Sequence, residues 1–216
     1  MFQKIFIITR LVQQVVFLFL VAMYLNGCST LNKNECLNAE WESIGYQDGV
    51  KGYLQSRIGR HRKACSEYGI KPDLSKYISG YDDGVREYCK PQRGYSRGLK
   101  GYENKGACKG STRKIYNNAY MQGRQIYNLE LQVKENKKSI KYILERNHRL
   151  EEKRVLAERK LINKKLTREQ RANLVYVLRE IGNKMASNTS AIQYHKKLIN
   201  EIIREVNYLR SHSEYR

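Results

Sequence analysis

Two aspartates stand at matching places in a repeated pattern: Asp48 in "IGYQDGVKGY" (44–53) and Asp83 in "SGYDDGVREYC" (79–89). With Glu42 or Glu87 they could furnish the paired carboxylates of a glycoside hydrolase, one protonating the leaving oxygen while the other attacks or activates water. Cell-wall glycan is the substrate such a pair would serve. Carboxylates of this kind more often cap helices, bridge elements or face solvent, so hydrolysis is the alternative reading and no catalytic residue is assigned. His61 and Cys65, four residues apart, could share a helical face and offer a metal one nitrogen and one sulfur. No C-x-x-C pair or second nearby histidine completes such a site, so neither metal nor cofactor is expected. His148 and His212 read as solvated and His195 falls on an apolar seam. Neither a Ser-His-Asp order nor a phosphate-binding loop is present.

The elements that carry these residues are punctuated by glycine. The pattern Gly/Ala-Tyr-x-x-Gly begins at Gly45 and recurs at Gly80, in "RGYSRGLKGY" (93–102) and in "NAYMQGRQIY" (118–127). A glycine inside a helix costs about 1 kcal/mol relative to alanine. Eight of them, at 45, 49, 52, 80, 84, 94, 98 and 101, therefore need an offsetting gain. Four-and-three spacing points to close backbone approach along one helical face, with Trp41, Tyr46, Tyr81 and Tyr95 across the gaps. Some of these glycines, in the third repeat above all, read equally as turn residues. Gly69 and Pro72 end one element, Asp73 can cap the next, and Ser111 or Thr112 can cap the last.

The formal charge of +20 in 216 residues would ordinarily suggest nucleic acid as partner. The N-terminus argues against it. Lys4 and Arg10 are the only charges in 1–27, and the apolar run Leu11–Leu25 is broken only by Gln13 and Gln14. That run suits the hydrophobic region of a signal peptide and falls short of the ~20 residues a membrane-spanning helix needs. It ends in "LNGC", which resembles the bacterial lipobox, with Cys28 as lipid attachment site. Ser29 then favours forwarding to the outer membrane. Removing 1–27 takes away two basic residues and no acid, so +18 remains. Two or more acyl chains anchor a protein stably with no transmembrane helix.

With Cys28 acylated, Cys36, Cys65, Cys89 and Cys108 remain, an even number in an oxidising compartment, which reads as two disulfides. An up-down-up run of helices puts Cys36 and Cys89 at one end and Cys65 and Cys108 at the other. That layout predicts Cys36–Cys89 and Cys65–Cys108, since bridged Cα atoms must lie within about 7 Å.

The segment from "ECLNAEWESIGYQDGVKGY" to "GYSRGLKGYENKGAC" resembles a bacterial lipoprotein family, domain of unknown function 2799. Trp41, Gly45, Asp48 and Gly49 fit its opening motif. His61, Cys65, Pro72, Asp73, Tyr77, Gly80, Tyr88 and Cys89 occupy its middle, and Gly94, Gly98 and Cys108 its end; Glu40 stands where the family commonly has Asp. The resemblance spans about 36–127. It implies an exported lipoprotein and supplies no activity.

Beyond Thr112 apolar residues fall at 129, 133, 140, 143, 150, 157 and 161, on a ladder of alternating four and three steps with polar positions interspersed, and the stepping resumes from Leu174 to Leu209. "LTREQ" between them holds a capping box, Thr167 with Gln170. The predicted product is an antiparallel hairpin. A turn at 167–168 makes facing residues sum to about 335, which pairs Ile143 with Ile192, Ala157 with Leu178 and Leu129 with Val206. It also sets Asn147 opposite Asn188 and leaves Arg154 against Ile181.

The sequence therefore predicts an all-α protein: a signal peptide at 1–27, a lipidated linker at 28–35, a disulfide-stapled repeat domain at 36–127 and a helical hairpin at 128–212. Its expected place is the periplasmic side of the outer membrane, anchored by lipid. Its expected role is structural or interactive, with an acidic envelope partner (lipid head groups, lipopolysaccharide or protein) and no nucleic acid.

Overall fold

The computed structural model describes residues 30–215; the expected signal segment 1–27 and Cys28 lie outside them. All regular elements among the described residues are helical. They are α1 (Lys33–Leu37), α2 (Trp41–Val50), a 3-10 turn (Gln55–Arg57), α3 (Ile58–Ser66), α4 (Leu74–Tyr88), α5 (Pro91–Leu99), α6 (Gly110–Leu161) and α7 (Arg168–Ser211). The all-α expectation holds, and no described helix is long and apolar enough to cross a membrane. The chain divides into two compact units, residues up to 88 with 105–107, and residues 89–104 with 108 onward.

In the first unit α2 and α4 cross with their backbones in contact. A methyl group at Gly45 or Gly49 would meet the carbonyl of Tyr77 or Tyr81, and one at Gly80 or Gly84 the carbonyl of Glu42 or Tyr46. The offset is the same from 45 to 77 as from 49 to 81, so the helices run parallel. This corrects the up-down-up layout. The 3-10 turn and α3 carry the chain back along the pair and return it to the end from which α2 started.

The second unit repeats the crossing. Gly94 and Gly98 of α5 face the carbonyls of Tyr116 and Tyr120, and Gly123 of α6 faces that of Tyr95. The buried Ala119 fills the slot matching Gly80. The polar contacts recur too: the Tyr81 hydroxyl donates to the Tyr53 carbonyl at 2.8 Å and the Tyr120 hydroxyl to the Tyr102 carbonyl at 2.9 Å. The third glycine of each triplet is a turn residue. Gly52 and Gly101 adopt φ of +69° and +70° just past α2 and α5, each against a tyrosine ring, that of Tyr88 or Tyr127. A side chain is strained there, which explains glycine at both places.

Parallel packing also decides the disulfides. They join Cys36 to Cys65 and Cys89 to Cys108, with Cα atoms 5.4 and 5.7 Å apart. Each bridge ties the segment before the first helix of a pair to the segment before the second, because both helices start at the same end. The expected pairing of Cys36 with Cys89 and Cys65 with Cys108 is thereby overturned, while all four cysteines are disulfide-bonded as expected.

The arm meets the heptad reading in register. Asn188 Nδ2 donates to Asn147 Oδ1 at 2.6 Å, and Ile143, Ala157, Ile181, Ile192, Ile199 and Ile202 are buried along the α6–α7 seam. The Thr167–Gln170 capping box starts α7. Arg154 stays partly exposed and reaches Glu151 and Glu158 at 2.7 and 3.6 Å, so its charged end escapes the seam. Two expectations shift. The division at 127–128 falls within α6, a single 52-residue helix that serves both the repeat and the arm. Lys109, not Ser111 or Thr112, is the N-cap of α6, and the Thr112 hydroxyl donates instead to the Lys109 carbonyl at 2.8 Å.

Candidate functional site

Helical spacing turns Asp48 inward. Trp41, Gly45, Asp48 and Gly49 share one face of α2, and that face is buried against α4. Ile58, His61 and Cys65 form the buried face of α3, and Tyr77, Gly80, Tyr81, Gly84 and Tyr88 that of α4. Asp48 is thus 5% exposed and His61 2%. A carboxylate so placed is costly unless donors surround it.

Three donors do. His61 Nε2 lies 2.8 Å from Asp48 Oδ2, the Tyr77 hydroxyl donates to the same oxygen at 2.9 Å, and Arg57 Nε lies 3.1 Å from Oδ1. The Arg57 nitrogen makes no hydrogen bond, so its contact is an ion pair at poor angle. Arg57 also stacks over the Tyr53 ring at 3.9 Å. Burial pushes the Asp48 pKa up, but the hydrogen bonds from His61 and Tyr77 and the charges of His61 and Arg57 outweigh it and hold the carboxyl below its ordinary value. Burial, then the neighbouring Asp48, pushes the Tyr77 phenol well above its usual range, so it remains a donor.

The second ring nitrogen, His61 Nδ1, lies 3.0 Å from Thr30 Oγ1. Leu31 packs against the same core, and α1 follows at once with a capping box between Asn32 and Glu35. From Thr30 onward, therefore, the stretch expected to be a linker is folded onto the first unit. Hydroxyl, imidazole and carboxylate are connected as in a nucleophilic triad, but the imidazole is enclosed and the carboxylate is already committed to three partners. The arrangement acts as a polar pin joining α2, α3, α4 and the N-terminal segment.

The structure does not bring Asp48 and Asp83 into a shared site. Asp83 is on the solvent side of α4, paired with Arg86. Glu42 is exposed. Cys65 is spent in a disulfide, which leaves no thiolate beside His61. Among the described residues no group of three His, Cys, Asp or Glu side chains could hold a metal. His148 is exposed beside Glu152 and His212 beside Tyr208, while the half-buried His195 meets Asn136 Oδ1 at 2.7 Å.

Among the described residues the pin occurs once. In the second unit Arg97 takes the slot of Asp48 and donates to the Glu103 carbonyl at 3.0 Å. The glycine crossing therefore stands without an Asp–His cluster in the second copy. Thr30 and Arg57 carried no sequence signal for this role. Tyr77 did, through its place on the buried face of α4.

A second feature lies at the turn of the arm. Arg159, Lys160, Lys164, Lys165 and Arg168 are all exposed there, as is Ile162 at 80%. Arg171 bends back to cap α6, its Nη1 donating to the Leu161 carbonyl at 2.8 Å.

Two disulfide-closed copies of a parallel, glycine-crossed helix pair, the second extended into an antiparallel arm, define the class: an all-α protein built by internal repetition. Residues 40–125 match the family described as "Protein of unknown function (DUF2799)". The matched stretch takes in both glycine crossings and ends within α6. No curated protein and no solved structure matches the chain.

Proposed function

We propose that this protein is a lipid-anchored component of the bacterial cell envelope, attached through Cys28 at the outer membrane and facing the periplasm. Its role is to hold and to contact, with the basic helical arm meeting an acidic partner. The observation that carries this reading is the exposed cation cluster at 159–168, in a chain that keeps +18 after loss of 1–27. An arm whose seam is filled by its own two helices has its charges free for something else. Disulfides in both units agree with an oxidising compartment.

The alternative, a cell-wall glycan hydrolase using Asp48 and Asp83, draws less support. Asp48 is held by three partners in the core, and Asp83 is ion-paired at the surface. The test is photocrosslinking in cells from positions 160 and 164, with equivalent probes at exposed positions of the first unit as comparison. Adducts to acidic envelope components from the arm alone support the reading. Equal or absent adducts at the arm, together with a clearing zone on a cell-wall zymogram that Asp48→Asn abolishes, would replace it with the hydrolase.

A further inference from the structure

We infer that the tip of the arm is a docking surface for an anionic phospholipid bilayer, an inference that rests on the envelope reading above and names its partner. Five cations crowd the turn between α6 and α7, at 159, 160, 164, 165 and 168, with one acid on each flank, Glu158 and Glu169. None of the five is in an ion pair among the described residues. Arg154, nearest to them in sequence among the arm's ion-paired cations, uses Glu151 and Glu158. The cluster is thus uncompensated and faces water.

Charge alone would suit any polyanion. The apolar residues choose among them. Ile162 stands 80% exposed in the midst of the cations. Just behind the turn an open groove is floored by Leu150, Ala157, Leu174 and Ile181, with Leu156 and Tyr176 exposed by 56% and 61% along it. Lys153, Lys160 and Lys184 line the same groove, with Glu180 as its one acid. A nucleic acid offers phosphates but stacked bases in place of an apolar layer, and an acidic polypeptide would need a pocket shaped for the isoleucine at the apex. A bilayer offers both layers at once: phosphates for the lysines and arginines, and acyl boundary just beneath for Ile162 and Leu156, with a tyrosine at the interface between. The lysine stems can lie along the apolar surface while their ammonium groups stay at head-group level.

The experiment uses the full chain reconstituted into nanodiscs of neutral phosphatidylcholine, so that whatever anchors the N-terminus is satisfied. These discs are floated with vesicles of phosphatidylcholine alone or mixed with phosphatidylglycerol. The expected result is roughly tenfold or more flotation with the anionic vesicles, weakening as salt is raised. Lys164→Glu with Lys165→Glu and Arg168→Glu should remove it. Ile162→Asn should reduce it severalfold at unchanged charge, and Ile162→Leu should retain it. Helicity and both native disulfides serve as folding controls, and these solvent-facing changes should leave them intact. Equal flotation with neutral vesicles, or full flotation of the charge-reversed variant, overturns the inference. Retention of the wild-type discs on polyglutamate resin without flotation would also overturn it, while leaving the acidic-partner reading in place. Loss of both would remove that reading as well.

Discussion

The side-chain amide of Asn188 donates to the Asn147 carbonyl oxygen across the seam of the arm at 2.6 Å. This bond joins two half-buried amides on a largely apolar seam, so changing one alone should cost more than changing both. Asn147→Leu should lose about 1–3 kcal/mol by leaving the partner amide half-buried and unpaired, and Asn147→Leu with Asn188→Leu should recover much of it. Urea unfolding of the four proteins of the cycle measures the coupling. Additive losses would mean the pair does not set the register.

The glycine crossings make opposite forecasts at different glycines. Gly80→Ala and Gly98→Ala put a methyl group onto a partner backbone carbonyl, and each should destabilise by several kcal/mol or prevent folding. Gly59→Ala and Gly182→Ala meet no atom within 4 Å and lie in helices, so each should raise stability by up to about 1 kcal/mol. Thermal melts that rank all four alike would contradict the crossing geometry.

Much of this fold was legible before the structure, and the failures share one cause. The arm could be read down to its register, because apolar residues such as Ile143 and Ile192 recur on a seam whose direction the Thr167 turn dictates. The spacing of Gly45, Gly49, Gly80 and Gly84 marked where two backbones touch. It did not say which way they run, since a glycine face accepts a parallel neighbour as readily as an antiparallel one. Taking the antiparallel choice misplaced α3, and with α3 went Cys65 and both disulfide assignments. Asp48 was visible as a polar residue on the same face as Trp41 and Gly45. Its partner Thr30 was not, because a contact 31 residues from His61 leaves no trace in local spacing.

Asp48 should give the protein an acid-sensitive component of stability. Its folded pKa lies below the ordinary value of 3.8, so the stabilisation is fully present above about pH 4 and is lost as pH falls through the lower folded value. Asp48→Asn should cost about 3 kcal/mol at neutral pH by leaving the Arg57 guanidinium without its counter-charge and weakening the hydrogen bonds made by His61 and Tyr77. It should also flatten the acid limb. Circular dichroism against pH, in parallel denaturant series, checks both. An unchanged acid limb would show that this carboxylate does not govern it.

Each disulfide closes the base of its own helix pair, so the two should be separable. Replacing Cys36 and Cys65 by alanine should lose about 3 kcal/mol while the Cys89–Cys108 peptide persists in non-reducing mass spectrometry. A Cys36–Cys89 peptide from the wild-type chain would contradict the parallel pairs.

The most direct test of the envelope reading is acylation at Cys28. Cells expressing the wild-type chain or Cys28→Ser are labelled metabolically with a palmitate analogue, and the membranes are fractionated. The account predicts a labelled wild-type protein in the outer-membrane fraction and an unlabelled Cys28→Ser protein that leaves it. A wild-type chain carrying no label, or label that survives Cys28→Ser, would contradict it.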